Sequence, residues 1–186
     1  MSRPAMSSLR NHFLIAMPHL RDQQFEGTIT YICEHNEEGA MGIVINRPME
    51  LKVGDILKQL ELDGAHCTDP VYAGGPMQSE RGFVLHSEGG RWQSTLAITD
   101  GLLVTTSRDI LKSVADGEGP AQVLVALGYA GWGEGQLEQE LASNYWITCE
   151  ADPGIIFATP PAQRISAALG RVGIDYHRLA PVAGHG

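Results

Sequence analysis

Short apolar runs, broken every few residues by polar or Gly/Pro-rich turns, dominate this chain and predict many short strands with a few short helices between them. Residues 13–16, Phe-Leu-Ile-Ala, read as a short buried strand. In the next predicted strand, 25–34, a period of two puts Ile29, Tyr31 and Cys33 on one face and Thr28, Thr30 and Ile32 on the other. Residues 35–41 turn the chain, 43–45 return as a strand, and Pro48, which lacks an amide hydrogen, closes that strand. Val53, Ile56, Leu57 and Leu60 then follow the i, i+3, i+4, i+7 spacing of an amphipathic helix over 53–62.

Further strands are expected at 71–73 and 82–86, separated by the Gly74-Gly75-Pro76 turn, and from 92 through 106. Ser107 is placed to N-cap a helix carrying Ile110, Leu111 and Val114, with Gly117 ending it. The wholly apolar segment 123–127 reads as a central strand and 128–135 as a Gly-rich loop. A helix at 136–142, strands at 145–149 and 155–157, and a helix at 162–169 started by Pro160-Pro161 complete the pattern. Strands mixed irregularly with helices indicate an α+β domain rather than a repeating β-α-β array. Residues 1–11 are polar and aperiodic and read as a flexible N-terminal arm, with 12–186 as one domain.

Charge narrows the partners. Thirteen Lys and Arg against 22 Asp and Glu leave a formal net charge of −9, which repels a phosphate backbone and makes direct nucleic acid binding an unfavourable expectation. Cys33, Cys67 and Cys149 are odd in number and lack Cys-x-x-Cys spacing, so neither a disulfide framework nor a thiolate zinc site is expected; a reducing cytoplasm fits. No run approaches the ~20 apolar residues that span a bilayer, so no membrane partner is expected.

Two polar clusters carry the candidate chemistry. The first joins His35 and Asn36 in the turn with Asn46 and Arg47 after the returning strand; Arg47 would hold a carboxylate or phosphate in its planar fork and a His would move protons. Pairing of the two strands places these groups at opposite hairpin ends, so the alternative is structural: Asn46 makes an Asx turn and His35 caps strand ends. The second cluster is Gly74, Gly75, Ser79, Arg81 and His86, where the alternative is that His86 satisfies a backbone carbonyl. Cys33 lies two residues before His35 along a strand, about 6–7 Å away, which favours a buried core thiol over a nucleophile. The loop 128–135 lacks both the dinucleotide and the P-loop fingerprints, and Glu134, Glu138 and Glu140 repel phosphate there. Packing of Tyr129 and Trp132 against a neighbouring surface explains the loop better. No His-Glu-x-x-His or Gly-x-Ser-x-Gly pattern occurs, so no catalytic residue, metal or cofactor is assigned.

The segment Tyr31-Ile-Cys-Glu-His-Asn-Glu-Glu-Gly-Ala-Met-Gly-Ile-Val-Ile-Asn-Arg-Pro48 resembles the signature of the AlgH/YqgE family. The likeness continues in family order through His12-Phe-Leu-Ile-Ala-Met-Pro18, Gly74-Gly-Pro76, Arg81-Gly-Phe-Val-Leu-His86, Thr105-Thr-Ser-Arg-Asp109, Gly128-Tyr-Ala-Gly-Trp132 and Gly135-Gln-Leu-Glu-Gln-Glu140. The chain departs at its end, Ala183-Gly-His-Gly186, where relatives finish Gly-His-Ala. The resemblance implies a bifurcated mixed sheet folded into a pseudo-barrel with flanking short helices. It implies no reaction, since these bacterial proteins carry a transcriptional-regulator label without established catalytic residues. The expectation is therefore a cytoplasmic binding or regulatory module, non-enzymatic, that engages an unknown protein or small anionic ligand. The alternatives are a hydrolase or transferase using His35 or His86 with Arg47, and a regulator that binds DNA.

Overall fold

The computed structural model describes residues 8–20 and 22–179. Among the described residues, ten strands form one branched sheet. β1 (His12–Ala16), β2 (Ile29–Asn36), β3 (Gly39–Val44), β6 (Met77–His86), β7 (Thr95–Thr99), β8 (Leu102–Thr105), β9 (Val123–Trp132) and β10 (Trp146–Glu150) run in the order β10-β1-β2-β3-β9-β6-β8-β7. β4 (Pro48–Lys52) and β5 (Pro70–Ala73) form the side branch. All pairings are antiparallel except β5 with β9.

The branch point lies within β9. Its first half, 123–127, pairs with β6 on one edge and with β5, through Ala126 and Leu127, on the other. Its second half leaves β5 and pairs with β3, matching Ala130 to Gly42 and Trp132 to Ala40. Gly128, at φ +80°, turns the strand between the halves. Gly74 stitches the branches: its N–H donates to the Leu127 carbonyl and its own carbonyl accepts from Val44, both at 2.8 Å.

The faces of the curled sheet are covered differently. Phe13, Ile15, Ile29, Tyr31, Cys33, Ile43, Phe83, Leu85 and Leu124 make the inner face, where α4 (Pro153–Phe157) and α5 (Arg164–Gly170) insert Ile155, Ile156, Ile165 and Leu169. On the other face α3 (Gln136–Ala142) packs Leu137 over Leu14, Ile32, Trp132 and Trp146. Beyond it, α1 (Val53–Gln59) and α2 (Asp109–Ala115) cover Val71, Val84 and Val125 with Leu57 and Ile110. The alternation expected in β2 is observed, with Ile29, Tyr31 and Cys33 inward and Ile32 outward. The described chain ends in α6 (Tyr176–Leu179) and begins with residues 8–11. Residues 1–7 of the expected arm lie outside the described residues; 8–11 bond to the fold, with Asn11 donating to the Ile32 carbonyl and Arg10 to the Ala97 carbonyl on edge strand β7.

Four local expectations are corrected. Residues 155–157 are helical, because Asp152 accepts the Gly154 N–H at 2.9 Å and Pro153 fixes the first turn; a three-residue apolar run carries no period that separates the two states. Most of the expected loop 128–135 is strand, since β9 continues to Trp132 and its small residues let β3 approach. Pro48 opens β4 instead of closing β3, consistent with its missing donor at an edge. Ser107 does not cap α2: its hydroxyl donates to Asp109 and accepts from the Ser94 N–H, while Arg108 occupies the cap position.

Candidate functional site

α4 and α5 fill one part of the inner face, and another part forms a cleft of about 990 Å³. Its floor is apolar, from Met41 on β3, Phe83 on β6, Val104 on β8 and Tyr129 on β9. Around it stand Glu34, Asn36 and Glu38 of the β2–β3 hairpin, Gln78 and Arg81 of β6, Gln93 to Leu96 leading into β7, and Gln136 of α3. A concave apolar site of this size with a few placed polar groups fits a ligand of drug-like dimensions.

Arg81 is the only Lys, Arg or His among these lining residues. Its guanidinium carbon lies 5.5 Å from the centre of the Phe83 ring, and Nη1 donates to Gln78 Oε1 at 3.3 Å. No carboxylate of the described residues comes within 4 Å of it. Gln78 itself has φ +44°, a backbone state that costs a non-glycine residue roughly 1–2 kcal/mol. It lies at the irregularity in β6–β9 pairing between Met77 and Gly82. Local strain thus sits beside the one cation among the described lining residues.

The other residues singled out in the sequence are dispersed. Asn36 lines the cleft, but its Oδ1 accepts the Glu38 N–H at 2.8 Å and shapes the hairpin. His35 is 8% exposed and is not among the residues that line the cleft. Its Nδ1 accepts the Leu9 N–H at 2.9 Å, and its Nε2 lies 3.6 Å from Glu138. At the far end of the hairpin Asn46 accepts from Ile29 N–H and donates to the Gly27 carbonyl. There Arg47 donates to the carbonyls of Gln23, Gln24 and Glu26 and ties down the turn before β2. Gly74 and Gly75 belong to the sheet branch; a Cβ on Gly75 would overlap the Tyr129 carbonyl carbon.

His86 is fully buried. Its Nδ1–H donates to the Ser87 carbonyl at 2.8 Å, leaving Nε2 to accept from the Thr105 hydroxyl at 2.7 Å. With its hydrogen committed, Thr105 accepts from Thr95, also at 2.7 Å, and Thr95 accepts from the Trp92 N–H. Thr95 lines the cleft, so His86 reaches the site only through two hydroxyls. Burial holds His86 below the usual histidine pKa, opposed by the bond to Ser87. Cys33 also borders the cleft, yet burial first and Glu34 second push its thiol far up, so it stays protonated and poorly nucleophilic.

Sequence reading missed the cleft floor. Met41, Phe83 and Tyr129 come from three strands whose adjacency depends on the branch in β9, and no local period encodes that. Arg164 was also missed; it is 4% exposed and lies over Tyr72, 5.1 Å from the ring centre. Among the described residues no cluster of His, Cys, Asp and Glu is arranged for a metal, and no helix is long and apolar enough to cross a membrane.

A single α+β domain with few short helices, whose curled sheet forms a half-barrel around an inner-face cleft, defines the class of protein. The AlgH-like family model matches residues 13–177, and the chain belongs to that family. It is 62% identical over 181 residues to a UPF0301 protein of Hahella chejuensis, covering 97% of this chain and 98% of the relative. It is 50% identical over 189 residues to the UPF0301 protein AlgH of Pseudomonas aeruginosa, covering both in full. The solution structure of that AlgH protein matches with a TM-score of 0.81, 49% identity and full coverage of both chains.

Proposed function

We propose that this protein is a binding module that takes an amphipathic ligand with an anionic group into the inner-face cleft, without chemistry of its own. The observation that carries this reading is Arg81, a guanidinium without a carboxylate partner among the described residues, standing above an apolar floor in a volume of about 990 Å³. Its planar fork suits a carboxylate or phosphate, and Phe83, Met41 and Tyr129 suit an apolar body. Glu34 and Glu38 at the rim favour a ligand whose negative charge is confined to one end.

A catalytic role for His35 or His86 with Arg47 draws little support, since the three occupy separate places and each is engaged with backbone or hydroxyl groups. DNA binding draws little as well, given the charge of −9.

Native mass spectrometry of the protein isolated gently from its host tests the reading. A discrete added mass that Arg81→Ala abolishes is expected. A bare chain, or an added mass indifferent to Arg81→Ala, would contradict it.

A further inference from the structure

Away from the cleft, the C-terminal helices hold a second cation that the binding reading does not use. Arg164 begins α5 and is 4% exposed. Its Nε donates to the Thr159 carbonyl at 2.9 Å and Nη1 to the Ile45 carbonyl, while Tyr72 lies beneath the guanidinium. Nη2 makes no hydrogen bond to a described residue, and no carboxylate of those residues comes within 4 Å. A buried charge is strongly unfavourable unless paired. Two carbonyl dipoles and an aromatic face offset part of this cost, Nη2 is not an enclosed and unpartnered atom, and an anion in the adjoining space would add a charged partner.

Space for one is present. Arg164 helps to line a cavity of about 280 Å³ whose walls include Val53, Val125, Ile156 and Phe157. Its rim carries Asp69, which is exposed and opposes a doubly charged ligand. One guanidinium with its outer nitrogens still able to donate matches one carboxylate. The apolar walls match a compact hydrocarbon body.

We infer that this cavity is a binding site for a small monoanionic organic acid, with its carboxylate on Arg164 and its body between Val125 and Phe157. The site is separate from the Arg81 cleft and stands or falls without it.

The test is a titration of isotope-labelled protein followed by amide and arginine Nε resonances, with benzoate as probe and benzylamine and inorganic phosphate as controls. Saturable shifts with benzoate alone are expected, clustered on the cavity lining at residues 53, 69–72, 123–125 and 156–164 and on Arg164 Nε. Affinity should fall about tenfold or more in Arg164→Gln, the loss of one charge-assisted contact. Should that variant unfold, Ala158→Glu decides, because Ala158 lines the cavity from an exposed position and a carboxylate there repels the probe. Absence of saturable shifts, shifts that survive the variants, or a preference for phosphate or benzylamine would overturn the assignment.

Discussion

His86 shows how one buried side chain connects stability to pH. Its folded-state pKa is lowered from 6.5 by burial, so between that value and the lower folded value the unfolded chain binds more protons. Stability is therefore full above the unfolded pKa and declines as pH falls below about 6.5. Urea unfolding of the wild type and His86→Gln across this range should show a smaller acid-induced loss in the variant; equal slopes would place the effect elsewhere. Gln78 offers a second check. Relieving its positive φ by Gln78→Gly is expected to raise stability by a few tenths to about 1 kcal/mol, after the entropic cost of glycine is subtracted, while freeing Arg81 from its Oε1 contact. Thermal unfolding measures the first part. His35 acts differently again, by accepting the Leu9 amide. His35→Ala should cost about 1 kcal/mol from the lost bond and accelerate hydrogen exchange at Leu9 selectively. Unchanged exchange there would show that the contact adds nothing.

At the scale of elements, much of this fold was legible. The helix at 136–142 and the buried strand at 13–16 stand where the sequence reading puts them, and the two faces of β2 follow directly from a residue period. The errors share a cause. In 155–157 and 128–135 the deciding information is not a period: in one case it is an Asp-Pro-Gly start that caps a helix, and in the other a set of small residues whose purpose is close approach. The sheet branch illustrates the second kind. A Cβ on Gly75 would overlap the Tyr129 backbone, and one on Gly128 would overlap the Gly75 carbonyl oxygen. Gly75→Ala is expected to destabilise by at least about 1–3 kcal/mol, the usual cost of forced overpacking, with positive φ adding to it. A denaturation midpoint close to that of the wild type would mean that β5 and β9 separate more easily than this geometry allows.

For the whole molecule, the branch in β9 has an architectural consequence: it brings β3, β6, β8 and β9 around one concavity that no segment of the sequence reveals alone. Of the sequence candidates, Arg81 and Asn36 border that cleft, whereas Asn46, Arg47, Gly74 and Gly75 hold turns and the branch, and His35 and His86 lie buried behind their own hydrogen bonds. Residue type points to polar groups, but whether such a group faces the cleft or the backbone depends on long-range pairing. Family membership brings the half-barrel, and the proposed ligand rests on the cleft's own chemistry alone. The most direct measurement is therefore resonance mapping of the labelled protein against a small-molecule extract of its host. Shifts clustered on Met41, Arg81, Phe83, Leu96 and Tyr129, and lost in Arg81→Ala, are the expected result; no shifts, or shifts that avoid the cleft, would contradict it.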